Sequence, residues 1–352
     1  FDYWFSFIGQ GKYFDPKVNE NGNEYQETGY MTDILTDKAV SWLKEKRDPN
    51  KPFSLNLWHK AVHQPHTPAP RHTNLYENEN LPTPPYDTHK ETFKGKPKWQ
   101  RKKTFGFDWK KNLPIPSELP EMEWPINYDK SMDLLRCLAA IDESLGTVLA
   151  TLEELGELDN TVVIYSSDNG YFMGEHTFLD KRLAYENSMR VPMLIRYPKL
   201  IKKNSKVKEQ CLNIDLAPTI LSLAGVTVPN YMQGESMVNL LNGKKDKNWR
   251  NAILFEYYLD TYWPYAGPTQ IAVRTDRYKL VDSFLKNDID ELYDLKKDPG
   301  EMNNLINIAN YDDIEQTLRD QATTLKKQYK YTPNRDWWLR EVMKSKRNKK
   351  NH

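Results

Sequence analysis

Apolar positions recur along the chain with spacings that predict its main elements. Leu134, Leu138, Ile141, Leu145, Val148, Leu152 and Leu155 follow one another at alternating steps of four and three residues. That is the period of one helical face, and Gly156 supplies a stop. Residues 161–166 (TVVIYS) follow as a β-branched run of strand length. Helix, short turn and strand in that order predict a parallel α/β unit. Residues 53–58 (FSLNLW) and 193–197 read as further core strands, and 214–224 as a helix that Gly225 ends. Residues 74–127 are dense in Pro, Lys, Asn and Trp and lack periodicity. They predict a long irregular excursion of the kind that often covers a site. Beyond about residue 249 the pattern shortens. Strand candidates at 253–258, 271–275, 278–283 and 291–295 precede a helix at about 312–329. The expected fold is α/β: a mixed, largely parallel sheet flanked by helices in residues 1–248. A smaller α+β subdomain with an antiparallel sheet is expected in 249–352.

Composition narrows the function classes. With 352 residues, one large and one smaller unit is the natural expectation. Lys and Arg total 50 against 49 Asp and Glu, so no global field draws the chain toward nucleic acid. The single basic run, 344–350, is terminal and reads as a solvated tail. Aromatic content of 12% argues against disorder despite a hydrophobic share of 38%. Cys137 and Cys211 offer neither a disulfide framework nor metal-ligand spacing, and Cys137 reads as an inert core thiol. No apolar stretch is long enough to span a bilayer. The opening Phe1-Asp2-Tyr3-Trp4 reads as a beginning in mid-protein, so a missing signal peptide says nothing about secretion.

The strongest local chemical signal is Ser166-Ser167-Asp168-Asn169-Gly170, directly after the TVVIY run. A carboxylate and an amide oxygen sit side by side at the end of a strand, where open α/β sheets bind ligands. Hard oxygen donors suit Ca²⁺ or Mg²⁺. An ordinary Asx-Gly turn would look the same in isolation. Lys181 follows in Leu179-Asp180-Lys181-Arg182, and then comes Arg190-Val191-Pro192 before the 193–197 strand. Ile214-Asp215-Leu216-Ala217-Pro218-Thr219, Glu291-Leu292-Tyr293-Asp294-Leu295, Asp298-Pro299-Gly300-Glu301 and Asn304-Leu305 complete the set, with His63-Gln64-Pro65 upstream.

Together these stretches resemble the sulfatase family of the alkaline phosphatase superfamily. The resemblance runs from Phe1 to about Leu305 and implies an alkaline phosphatase-like fold. It implies Asp168 and Asn169 as ligands of one calcium ion and Lys181 as a sulfate-binding cation. It implies that His63 contacts the sulfate and acts as general acid toward the leaving alcohol. His176, between the metal loop and Lys181, is a candidate substrate contact or a packing residue. Arg190 is expected to hold a structural carboxylate. Phe7-Ile8-Gly9-Gln10-Gly11-Lys12-Tyr13-Phe14, Asn21-Gly22 and Asp168-Asn169-Gly170-Tyr171 look similar to the glucosamine-6-sulfatase branch.

The family's nucleophile is a Cys or Ser in a Cys/Ser-x-Pro-x-Arg motif, converted to formylglycine. Neither Cys137-Leu138-Ala139 nor Cys211-Leu212-Asn213 fits it. The resemblance therefore implies a nucleophile upstream of Phe1, with further calcium ligands, and a fragment inactive by itself. It also implies a formylglycine-generating enzyme as maturation partner and a sulfated glycan as substrate. The expected location is the periplasm or the exterior, or the lysosome in a eukaryote. The alternatives are a phosphoester or phosphonate hydrolase of the same superfamily, or an inactive glycan-binding module. The Trp- and Lys-rich residues 94–124 either shape a glycan subsite or pack over the core.

Overall fold

The computed structural model describes residues 1–79, 94–97, 100, 128–173, 175–244, 246–258, 269–283 and 289–332. Most of the 94–124 segment and the basic run 344–350 lie outside the described residues.

The chain opens with an antiparallel three-stranded sheet: β1 (Phe5–Phe7), β2 (Lys17–Glu20) and β3 (Asn23–Gln26). Asn21 and Gly22 join β2 to β3, both at positive φ (50° and 94°). That is the conformation a two-residue hairpin turn demands. Helix α1 (Met31–Ser41) then packs along α2 (Tyr128–Glu154). Gly156, at φ 70°, stops α2 as expected.

The seam of α2 keeps Ile141, Val148 and Leu152 of the expected stripe and departs from it at both ends. Leu138 and Leu155 are exposed, while Cys137, Ala140, Ser144 and Thr151 are buried. Small side chains let the two helices approach. Thr36 Oγ1 of α1 donates to Ser144 Oγ across the contact at 2.6 Å. Cys137 is a buried free thiol beside Tyr13, Tyr30 and Ala69, in line with the inert reading.

Strand β4 (Val163–Ser166) pairs with β7 (Met193–Arg196), and the pairing is antiparallel. The α/β class stands, but the parallel pairing expected from the sequence is absent among the described strands, all of whose ladders are antiparallel. Among the described residues the link between β4 and β7 contains no long crossover helix. Here the link holds only a small hairpin, β5 (Phe172–Met173) with β6 (Leu179–Asp180), and the four-residue helix α3 (Glu186–Met189). Residues 53–58 run without a ladder partner among the described residues. Phe53, Leu55 and Leu57 nonetheless pack with Leu43, Val148, Leu152 and Val163. Ser54, Asn56 and Trp58 face out, as strand alternation requires.

Helix α4 (Leu216–Leu223) ends at Gly225, and α5 (Val238–Leu241) carries Leu240 and Leu241 into a cluster with Met193, Ile195 and Trp249. Strands β8 (Ala252–Tyr257), β9 (Gln270–Thr275), β10 (Tyr278–Ser283) and β11 (Glu291–Asp294) form one antiparallel sheet in sequence order. Helix α6 (Asp312–Gln328) covers it through Leu318, Ile314, Ala322 and Leu325. The strand and helix expectations for this part hold to within a residue or two.

His59 sits under the 59–66 loop with Nε2 3.4 Å from Ser144 Oγ. Burial alone pushes its pKa from the ordinary 6.5 down to about 4. Protons therefore bind the unfolded chain first. This residue's contribution to stability is complete above about pH 6.5 and is lost as pH falls toward 4. Urea unfolding at pH 7 and pH 4.5 is expected to show a drop of about 2 kcal/mol that His59→Gln largely removes. An unchanged pH slope in the variant would contradict it.

Candidate active site

The histidine loop is fixed from beneath. The Tyr13 hydroxyl donates to the His63 carbonyl at 2.7 Å. The buried Lys60 ammonium donates to the Gln64 carbonyl at 3.2 Å and lies 4.9 Å from the Tyr13 ring. The Ala61–Val62 and Gln64–Pro65 peptides are both cis. The His63 ring is exposed, with Nδ1 2.9 Å from the Gln64 carbonyl. A neutral ring held this way carries its proton on Nδ1 and leaves Nε2 open to solvent.

The Asp-Asn-Gly loop leaves β4 at its C-terminal end. Asp168 Oδ1 accepts from the Asn169 N–H at 2.9 Å and from Ser167 Oγ at 3.3 Å. The Asn169 amide donates to the Gly170 carbonyl at 2.7 Å, which turns its oxygen the other way. Among the described residues, Asp168 Oδ2 and Asn169 Oδ1 accept no hydrogen bond. Two hard oxygens left open side by side fit part of a calcium coordination shell, which takes six to eight. No group of three or more His, Cys, Asp or Glu side chains stands ready for a metal among the described residues. Asp168 and Asn169 thus fit such an ion as two of its ligands and not as a whole site.

Gly170 is needed for space. Its N–H donates to the Ser188 carbonyl at 2.9 Å. A Cβ there would lie 2.1 Å from the Asn187 carbonyl oxygen and 2.8 Å from that of Arg190. Gly170→Ala is therefore expected to destabilise the fold by at least about 2 kcal/mol, read from the urea midpoint. A wild-type midpoint would refute this close approach.

Tyr171 joins the two loops. Gln64 Nε2 donates to its hydroxyl at 3.2 Å, and the His66 ring stands edge-on to it at 6.4 Å. The β5–β6 register pairs Phe172 with Asp180. Tyr171 directly precedes β5 and Lys181 directly follows β6. The Gln64–Tyr171 hydrogen bond ties the histidine loop to the end of the Asp-Asn-Gly loop. Lys181 is half-buried and makes no ion pair or hydrogen bond among the described residues.

Two candidates lie elsewhere. His176 is only 1% exposed, with its ring 4.4 Å from that of Tyr185 and Nδ1 3.4 Å from Lys96 Nζ. It belongs to a buried aromatic cluster, so of its two expected roles the geometry favours packing over substrate contact. Among the described residues Arg190 reaches only Glu186, at 3.9 Å, with its side chain 76% exposed. The buried carboxylate of this region is held instead by Arg274 and Lys279. Burial pushes the Glu186 carboxyl upward, but Lys279 and Arg274 outweigh that and hold it at about 2. Sequence reading had no signal for Lys60 or Gln64 as supports. Both act through backbone and side-chain contacts that only the fold creates.

Comparison with known proteins agrees with this architecture. The sulfatase family profile matches residues 1–226, and the profile of the N-sulphoglucosamine sulphohydrolase C-terminal region matches 174–328. An N-acetylglucosamine-6-O-sulfatase of Bacteroides thetaiotaomicron is 36% identical over 94% of this chain and 68% of its own length. An N-acetylglucosamine-6-sulfatase of Capra hircus is 30% identical over 72% of this chain, which spans only 44% of that relative. A solved structure in complex with its substrate D-glucosamine-2-N,6-O-disulfate superposes with TM-score 0.84. It is 34% identical and is covered to 78%, over 96% of this chain. The architecture is that of hydrolases with the alkaline phosphatase-like fold. Within them, the chain belongs to the sulfatase family, the sulfuric ester hydrolases.

Proposed function

We propose that the protein containing this chain hydrolyses the 6-O-sulfate ester of a glucosamine unit in a sulfated glycan. The observation that carries the reading is the Gln64–Tyr171 hydrogen bond, which ties the loop of His63 to the loop of Asp168 and Asn169, with Lys181 at the end of the hairpin that follows. The substrate class is supported by the relatives named for N-acetylglucosamine 6-sulfate and by the disulfated glucosamine held in the similar structure.

In this reading Asp168 and Asn169 supply two ligands of a calcium ion. The ion, when bound, offsets the negative charge of the sulfate oxygens. Lys181 offsets the same charge from the other side of the hairpin, without needing a proton to move. Hydrolysis breaks the sulfur–oxygen ester bond and leaves an alkoxide on the sugar. His63, once protonated, gives the Nε2 proton to that oxygen as it leaves. The nucleophile is the family's formylglycine, made by its generating enzyme, and it is not among these residues. His176 serves packing, and the division near residue 248 separates the site-bearing part from the sheet that supports it. Among the described residues no helix is long and apolar enough to cross a membrane. A periplasmic, secreted or lysosomal location agrees with the glycan substrate.

The test is sulfate release from glucosamine 6-sulfate by the full-length protein, followed by ion chromatography. Release is expected to stop on calcium chelation and to return when calcium is restored. Release that chelation leaves untouched would remove Asp168 and Asn169 from the metal role.

A further inference from the structure

The C-terminal sheet buries several polar side chains and directs them at one short stretch of the chain. The Ala184 N–H donates to Gln270 Oε1 at 3.0 Å, and its carbonyl accepts from Lys279 Nζ at 2.9 Å. The Tyr185 hydroxyl donates to Glu291 at 2.8 Å. The Glu186 N–H donates to Glu301 Oε2 at 2.7 Å. The Glu186 carboxylate also receives Lys279 at 2.9 Å and Arg274 at 3.1 Å. Gln270 and Lys279 are 1% and 0% exposed. Strands β9, β10 and β11 and the turn that follows thus grip three successive residues.

Burying an ammonium between two carboxylates adds little net stability, because its desolvation offsets most of the attraction. What such an arrangement fixes is geometry. Lys181 lies three residues before Ala184. On the other side, Ser188 Oγ accepts from the Arg182 N–H at 3.1 Å, and the Ser188 carbonyl accepts from the Gly170 N–H at 2.9 Å. The gripped stretch is therefore tied both to the loop that carries Lys181 and to the loop that carries Asp168 and Asn169.

We propose that Gln270 and Lys279 are positioning residues for the hydrolysis: they hold residues 184–188 as a strap that sets Lys181 relative to Asp168 and Asn169. This inference rests on the roles given to those three residues above. Neither Gln270 nor Lys279 touches the reacting atoms; each acts through the Ala184 peptide.

The test uses the full-length protein and two variants at one position. Gln270→Met keeps the volume but cannot accept the Ala184 N–H, whereas Gln270→Glu keeps an acceptor oxygen. Three quantities are read: the urea midpoint, kcat and KM for sulfate release, and hydrogen exchange of residues 181–190. Gln270→Met is expected to speed exchange across 182–188 and to lower kcat/KM by at least about ten-fold, a loss beyond what its unfolded fraction explains. Gln270→Glu is expected to recover most of both. If Gln270→Met does not fold, Lys279→Arg takes its place, with the charge kept, the reach altered and the same loss in kcat expected. An active wild type whose variants exchange faster yet keep kcat/KM would overturn the positioning role and leave the sulfatase reading standing. A calcium-loaded wild type that releases no sulfate from any ester would overturn that reading, and the inference with it.

Discussion

Lys181→Ala is expected to lower kcat/KM for sulfate release by about 10²–10³ while leaving the urea midpoint within about 0.5 kcal/mol of wild type. The two halves of that expectation come from one fact. Lys181 makes no ion pair or hydrogen bond among the described residues, so its removal breaks no polar contact there. A half-buried lysine without such a contact among the described residues is open to an anion. Its effect should be larger for the transition state than for the bound ester, because negative charge gathers on the departing groups. The loss should therefore fall mainly on kcat. His63→Ala provides the companion test. With Nδ1 held at the Gln64 carbonyl, only Nε2 can serve the leaving oxygen. Its loss is expected to cost about 10²–10⁴ for a sugar ester. The cost should be smaller for an aryl sulfate, whose phenoxide leaves without a proton. Equal losses for both esters would remove His63 from the acid role.

Asp215→Ala is expected to have the largest effect on stability, about 3–5 kcal/mol in urea unfolding. Asp215 is fully buried. It takes Arg250 in a two-pronged pair at 2.6 and 2.7 Å, with Arg250 itself 5% exposed. The same carboxylate also accepts the Leu212 N–H at 2.7 Å and the Glu235 N–H at 2.8 Å. Alanine would take the two-pronged acceptor from a buried guanidinium, leaving it the Gln210 carbonyl at 3.1 Å and Glu235 at 3.7 Å, and would take the acceptor from two part-buried N–H groups. The double variant Asp215→Ala, Arg250→Met should recover part of the loss, since it removes the stranded charge. Gly234 closes the same clasp: a Cβ on it would lie 2.0 Å from the Ile214 carbonyl oxygen. A loss below about 1 kcal/mol for Asp215→Ala would contradict this account of the clasp.

Much of this was legible in the sequence, and the exceptions share a cause. The 134–155 periodicity predicts α2, and the short runs separated by turns at 253–258, 271–275, 278–283 and 291–295 predict the C-terminal strands, because local pattern fixes local structure. The orientation of α2 was legible in part. Ile141, Val148, Leu152 and Cys137 are buried as expected, whereas Leu138 and Leu155 are exposed and close contact with α1 buries Ser144 and Thr151. The pairing of the TVVIYS run was not legible: the run is a strand in either direction, and its antiparallel ladder with β7 leaves no mark in its own residues. Asn21-Gly22 carried a hairpin signal that a resemblance alone did not convert into β2 and β3.

For the site, Asp168, Asn169, Lys181 and His63 stood out through their motifs. The tie between the histidine loop and the Asp-Asn-Gly loop depends on a hydrogen bond from Gln64 to Tyr171, which has no linear signature. His176 stood open between substrate contact and packing, and its burial beside Tyr185, at a positive φ of 53°, becomes visible only in the fold. Gln270 and Lys279 had no motif at all. The one clue was a polar residue at an inward strand position, and that becomes a clue only when burial is known.

The most direct measurement of the central claim is the release of inorganic anion by the calcium-loaded full-length protein from matched glucosamine esters. The esters carry sulfate at O6, at O3 or on nitrogen, with glucosamine 6-phosphate beside them. The account predicts sulfate from the 6-O-sulfate ester well ahead of the other positions, and almost no phosphate. Phosphate release that exceeds sulfate release, or sulfate taken only from another position, would contradict it.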